Sequence, residues 1–380
     1  MFALYLILFL FAVTTSMSFA SVGTLEIKKR RFANAHLAII VSFLVVFTFM
    51  GFRYNVGRDF INYMGDYKYI DSSDFGAAFS YYKYEYGYLV LLQCARFLGT
   101  GPQGIFVFSS LILLLLYFNL FKRRWNLLPA SIFVFFISTP YVFSINGLRQ
   151  AIAVFAFLNA INSMVDGSHL KRTLCFLVWM IFGVLFHTSL IFFLPCILLQ
   201  YEKILSVFNT KFLMLIALAG FVINVIGLSA DLLPNQELLG TEGYSYGTAF
   251  DSDRFEVEES VLSLGNVFHL GLIMIPLFLY DKIRLFFPEM RIFFVTLALG
   301  STIFFMFTDN MFTQRISYYF LFSELLVYPT VRLFSRKCVT KINWWMVCVV
   351  MYVMLFLVAY PGFLDNQLYP NASIWGISLN

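Results

Sequence analysis

Runs of about 20 apolar residues recur along the chain, separated by short clusters of Lys and Arg. A helix of about 20 residues rises about 30 Å, the depth of a bilayer's hydrocarbon core, and satisfies its backbone hydrogen bonds internally. Membrane β-strands would instead alternate polar and apolar residues with period two, which these runs do not. Composition agrees: 60% of the 380 residues are hydrophobic and 12% are charged, against about 25% charged in a soluble domain. With a mean hydropathy of +0.80, so much apolar surface cannot be hidden in one globular core. The fold class predicted is all-α, a polytopic transmembrane helical bundle forming a single integral membrane domain over 1–380.

The net charge of +5 does not indicate nucleic acid, because the basic residues form inter-span clusters rather than one basic face. Cys94, Cys175, Cys196, Cys338 and Cys348 are scattered, odd in number and lack a C-x-x-C pair. Neither a disulfide framework nor a metal site is expected. His36, His169 and His269 likewise resemble no metal set. The N-terminal run ends in small residues that resemble a cleavage site, but Lys28, Lys29, Arg30 and Arg31 follow the run instead of preceding it. An uncleaved first helix entering from outside is therefore expected.

Placing basic clusters inside orders the spans. Residues 2–21 cross inward and 33–52 outward. Residues 53–85, polar and rich in Tyr, form a first external loop. The apolar stretch 86–99, closed by Gly99, Gly101 and Pro102, is too short to span and predicts a re-entrant or interfacial helix lining a protein-enclosed cavity. Residues 104–121, 127–143 and 148–164 then cross. Residues 173–200 are too long for one simple span and have basic residues on both sides, which a broken hairpin turning near His187, Thr188 and Ser189 reconciles; a single tilted span is the other reading. After a span at 212–230, a second external loop covers 231–261 and is strongly acidic. Spans at 263–280, 291–307, 315–333 and 342–360 bring the total to about 12 crossings with both ends outside.

That topology puts Arg53, Arg58, Arg149 and Arg315 on the external side, near helix ends where a positive-inside protein should avoid arginine. Ionisable groups at membrane depth are costly and face a cavity or a partner, and the guanidinium fork suits phosphate or carboxylate oxygens. Arginines from distant segments thus suggest one anionic pocket, whose natural membrane-borne ligand is a polyprenyl diphosphate. Snorkelling or local pairing is the plainer reading, through Asp59 for Arg58 and Asp309 for Arg315. His187 could accept a proton or bond a sugar hydroxyl, or be structural. Asp59 is the better candidate base in the first loop, while Asp66 and Glu85 read as solvated loop surface. Tyr54, Tyr63, Tyr318 and Tyr319 could stack on sugar faces or form an interfacial belt.

Arg53-Tyr54-Asn55-Val56-Gly57-Arg58-Asp59-Phe60-Ile61-Asn62-Tyr63 resembles the R-x-x-x-G-x-D-x-x-x-Y segment of EpsG-type proteins, relatives of Wzy-type O-antigen polymerases. Tyr84-Glu85-Tyr86-Gly87-Tyr88 resembles that family's Y-E-x-G-Y box, with Tyr86 in place of proline. Asn146-Gly147-Leu148-Arg149-Gln150-Ala151-Ile152-Ala153 is similar to its N-x-x-R-Q-x-[IL]-A helix start, and Phe186-His187-Thr188-Ser189-Leu190 to its F-H-x-S-[AL] turn. Arg315 with Tyr318 occupies the place of a late arginine–tyrosine pair. Arg58 stands where a small polar residue is common in that family and would add a phosphate contact.

The resemblance implies a membrane-embedded, metal-independent, GT-C-like glycosyltransferase needing no cofactor. It would polymerise oligosaccharide repeat units carried on undecaprenyl diphosphate at the periplasmic face of the bacterial inner membrane, making O-antigen, capsular or exopolysaccharide. Its partners would be the lipid-linked oligosaccharide, membrane lipids and a chain-length regulator protein. On this reading Arg149 and Arg315, helped by Arg53 or Arg58, hold the diphosphate, and His187 or Asp59 assists the acceptor. Tyr63, Gln150 and Tyr318 contact substrate. A ligase using the same carrier, or a flippase without chemistry, are the alternatives; a flippase should show two related halves, which the sequence lacks.

Overall fold

Apolar residues on every face of a segment leave a helix nothing polar to turn outward, and such segments fold here as helices packed on helices. The computed structural model describes residues 29–69, 84–228, 240–241, 244–245, 261–308, 311–338, 342–368, 373–374 and 377–378. The expected crossing at 2–21, most of the acidic loop 231–261, the segment 70–83 and Asp309 lie outside the described residues. Apart from two two-residue β-ladders, Gly240–Thr241 with Tyr244–Ser245 and Ser373–Ile374 with Ile377–Ser378, the described regular structure is helical. The all-α expectation holds. The chain divides into one unit of residues 1–162, 177–191 and 360–380, and a second of 163–176 and 192–359.

The first unit contains α1 (Lys29–Gly51), α2 (Phe60–Tyr69), α3 (Tyr86–Phe97), α4 (Gln103–Asn119), α5 (Leu128–Ile137), α6 (Thr139–Asn146) and most of α7 (Leu148–Ser163). Helix α7 is its core, buried at every position from Gln150 to Ile161. The one polar side chain deep in that stretch, Asn159, donates to the Leu116 and Phe155 carbonyls at 2.9 and 2.8 Å and accepts from the Asn119 amide at 2.6 Å. A buried amide so satisfied pins α7 to α4. The 12 residues of α3 rise only about 18 Å, less than a bilayer core, and the chain reverses after them through Gly99 (φ +63°) and Gly101 (φ +65°). Between α5 and α6 Ser138 is extended and the axis bends by 64°. Pro140 lies in the first turn of α6, where its missing N–H costs nothing.

Helix α8 (His169–Val184) and the 3-10 helix Thr188–Gln200 flank a break at Leu185–His187. Gly183 is the position where any side chain would run into Leu190. Further out, the Thr173 hydroxyl lies 3.3 Å from the Gln200 side-chain oxygen, and the His169 ring centroid 5.0 Å from that of Tyr201. The arms fold back on each other, so the broken hairpin is what forms, not a single tilted span.

The second unit is organised by α10 (Thr210–Val225) against α13 (Arg291–Met306), after the short α9 (Glu202–Leu205). Gly220 faces the Thr302 backbone, and the Thr302 hydroxyl donates to the Ile216 carbonyl at 2.6 Å, the small-residue contact by which membrane helices approach closely. Helix α11 (Leu264–Phe278) bends by 48° into α12 (Tyr280–Phe286). Helices α14 (Met311–Leu321), α15 (Glu324–Lys337) and α16 (Trp344–Leu368) complete the unit to residue 359. Buried Glu324 accepts from the Tyr352 hydroxyl of α16 at 3.0 Å.

By length and composition one described helix, Pro288–Met306, can cross a bilayer, or up to three if each bent pair is one span. The breaks at Ser138, Gly147 and Leu185–His187 cut the apolar runs into shorter helices, so the expected count of about 12 crossings is not confirmed.

Candidate functional site

The first unit's site is built on the break between α6 and α7. At Gly147 the backbone leaves the helical region (φ −92°, ψ 56°) and α7 restarts, with the Ala151 amide donating to the Gly147 carbonyl at 2.7 Å. The Tyr63 hydroxyl, from α2, donates to the Asn146 carbonyl at 2.9 Å and accepts from the Leu148 amide at 3.1 Å. One side chain thus satisfies both the end of α6 and the start of α7, groups that helix termini otherwise leave unpaired.

The loop before α2 is moulded on the same break. The Arg58 amide donates to the Asn146 side-chain oxygen at 2.8 Å, and the Arg53 guanidinium donates to the Ile145 carbonyl at 3.1 Å and to the Met50 carbonyl at 2.5 Å. Arg53 is 4% exposed and lies 4.6 Å above the Phe106 ring. Burial pulls its pKa down to about 10, so it remains charged at neutral pH. Gly57 adopts φ +101°, and a Cβ there would sit 2.9 Å from both the Asn146 side-chain oxygen and Ile145 Cγ2. Only glycine fits there without strain.

This bracing fixes Arg149 in the first turn of α7, the positive end of the helix dipole, where a cation is unfavourable without an anion nearby. Glu85 supplies that anion: its Oε2 lies 2.5 Å from Arg149 Nη1, with 24% of the arginine side chain and 11% of the glutamate exposed. The Arg149 guanidinium carbon also lies 5.1 Å from the Tyr84 ring centre and 5.3 Å from that of Tyr88, within cation–π range. Both tyrosine hydroxyls donate to Asp66, at 2.7 Å from Tyr84 and 2.8 Å from Tyr88.

The turn bearing His187 packs on the same box. The Gly87 amide donates to the Leu185 carbonyl at 2.6 Å, and a Cβ on Gly87 would lie 2.7 Å from that oxygen and 3.0 Å from the Phe186 ring. Two residues on, His187 Nδ1 is 2.7 Å from the Ser189 hydroxyl, which orients the ring. His187 is half-buried and Ser189 buried.

The structure therefore brings together the segments around Arg53–Tyr63, Tyr84–Tyr88, Asn146–Gln150 and Phe186–Ser189. Within them, Arg58 turns its side chain outward, Asp59 is half-buried and Gln150 is buried on α7. No salt bridge joins Arg58 to Asp59; Asp59 instead lies 3.4 Å from the Asn62 amide nitrogen. Tyr63 is 7% exposed, with its ring packed against Tyr88 and Phe106. Arg315 and Tyr318 lie on α14 of the second unit, both half-buried, with the Tyr318 ring stacked on Phe322 at 5.8 Å. Among the described residues no three His, Cys, Asp or Glu side chains converge as a metal-holding set.

Two expectations change. Glu85 and Asp66 are not solvated loop carboxylates: one pairs with Arg149 and the other receives two tyrosine hydroxyls. Asn146, whose side-chain oxygen and carbonyl both anchor the preceding loop and helix, was visible only as a motif letter.

Apolar helices, one of them long and apolar enough to cross a bilayer, mark a membrane protein. A family model described as EpsG matches residues 36–373, and the chain belongs to that Wzy-type, polymerase-like family. No curated protein and no solved structure matches it.

Proposed function

We propose that this protein is a multi-pass bacterial inner-membrane glycosyltransferase that polymerises undecaprenyl-diphosphate-linked oligosaccharide repeat units at the periplasmic face. The observation that carries the reading is the Arg149 site: a part-buried guanidinium at a helix N-terminus, bonded to a carboxylate and backed by two aromatic rings. Both the guanidinium and the helix N-terminus favour an anion, and Glu85 holds the guanidinium at that end.

In the reaction, an acceptor sugar hydroxyl attacks the anomeric carbon of the growing chain. The new glycosidic C–O bond forms as the bond to the diphosphate breaks, and undecaprenyl diphosphate leaves with the electron pair. Arg149 offsets the charge that develops on the leaving oxygen, a stabilisation largest in a dry site. His187, oriented by Ser189, takes the hydroxyl proton; Asp59 is the other candidate. The family resemblance also gives Arg315 and Tyr318, on α14, a part in holding substrate.

The test is to resolve the surface glycan by size in cells carrying Arg149→Ala or Arg315→Ala. Loss of long chains at normal protein level, with single repeat units still attached to the anchor, is expected. Unchanged chain length in both variants would sink the reading. Loss of all surface glycan would indicate a flippase, and accumulation of unattached polymer a ligase. Lysine at either position should rescue only in part, because it cannot reproduce the bidentate fork.

A further inference from the structure

We infer that Asp66 is a positioning residue for Arg149, acting through the Tyr84 and Tyr88 hydroxyls to hold two aromatic rings against the guanidinium before a diphosphate arrives. The inference rests on the reading of Arg149 as a diphosphate contact.

The geometry is that of a clamp. Tyr84 stands two residues before α3, ahead of the extended N-cap Glu85, and Tyr88 lies in the first turn of α3. Their rings meet edge to face at 5.5 Å. Each hydroxyl donates to a different oxygen of the same carboxyl, Tyr84 to Oδ1 and Tyr88 to Oδ2. With both oxygens engaged, neither ring can rotate away without losing a bond to Asp66. Both rings lie under the Arg149 guanidinium, whose position they and Glu85 define.

Helix α2 ties this clamp to the backbone. Tyr63 and Asp66 are three positions apart on α2 and so share a face. Tyr63 fixes the main chain on both sides of Gly147, two residues before Arg149, while Asp66 fixes the rings against the Arg149 side chain. A single short helix thus sets both the origin and the direction of the arginine. Tyr63 also contacts Tyr88 ring to ring at 6.0 Å, which joins the two functions. An arginine left to explore its rotamers must be ordered when the anion binds; a clamped one has been ordered on folding. Asp66 need not touch substrate to do this.

The experiment measures binding of undecaprenyl diphosphate to the purified full-length protein in detergent by titration calorimetry, with undecaprenol as the probe that lacks the anion. Asp66→Asn should weaken undecaprenyl diphosphate about tenfold and leave undecaprenol unchanged, and Tyr84→Phe/Tyr88→Phe should do the same. In an Arg149→Lys background, Asp66→Asn should add less than about twofold, because the clamp then has no guanidinium to direct. Unchanged affinity in Asp66→Asn overturns the inference. So does an equal loss in the Arg149→Lys background, or an equal loss for undecaprenol, either of which would mark Asp66 as a general structural residue. If Asp66→Asn does not fold, the double tyrosine variant decides by the same criteria. A wild-type protein that does not distinguish the two lipids overturns the diphosphate reading itself, a result separable from failure of the clamp.

Discussion

Arg149, on the helix that begins at the break braced by Tyr63, and Glu85, 64 residues away in sequence at the start of α3, meet with Nη1 and Oε2 at 2.5 Å. The pair is mostly shielded from solvent, so each charge depends on the other. Glu85→Ala should destabilise the protein by about 2–3 kcal/mol, below the roughly 3–5 kcal/mol of a fully buried pair. Glu85→Ala/Arg149→Met should recover most of that loss, since no unpaired charge remains. Thermal melts in detergent check both, and additive losses in the double variant would contradict the pairing.

Gly57→Ala should destabilise by about 1–3 kcal/mol, because φ +101° is strained for any L side chain and the added carbon meets Asn146 and Ile145. The same melt measures it; a change within error would mean the loop adapts freely.

Tyr63→Phe keeps the packed ring and removes only the hydroxyl. The Leu148 amide then loses its acceptor and the Asn146 carbonyl a donor, a cost of about 1–3 kcal/mol. Amide hydrogen exchange should rise at the start of α7 and stay unchanged in α13.

On the proposed function, Gly87→Ala should lower chain polymerisation by about tenfold or more, because its Cβ pushes against Leu185 and displaces the turn bearing His187. Gly271→Ala is the control: its nearest neighbour is the flexible end of Met351 at 3.3 Å, so activity should be retained. Glycan length distributions from the two variants make the comparison.

In the second unit Arg291 grips Glu202 with two hydrogen bonds of 2.6 Å, which hold the Glu202 carboxyl below its ordinary range. A depressed carboxylate contributes stability above its unfolded pKa and loses it as pH falls through the folded value. Glu202 is 68% exposed, so the effect is small and weakened by salt. The melting difference between wild type and Glu202→Gln should be present at neutral pH and vanish in acid.

Helical class and membrane residence were legible in the chain because they follow from local quantities: apolar run length and the spacing of basic clusters. The break near His187 was legible too, since its polar residues interrupt an apolar run too long for one span. Arg149 stood out for the same reason, as a charge where the local pattern forbids one. Only the folded chain could decide that Glu85 pairs with that arginine and Asp66 with the two tyrosines beside it, because the partners lie 64 residues away for Glu85 and 18 and 22 for Asp66. A carboxylate's role depends on what faces it, and in one dimension a buried pair and a solvated loop read alike. Tyr63 shows the same limit: its letter suits a sugar-stacking ring, yet its packing makes it a brace for the break that carries Arg149.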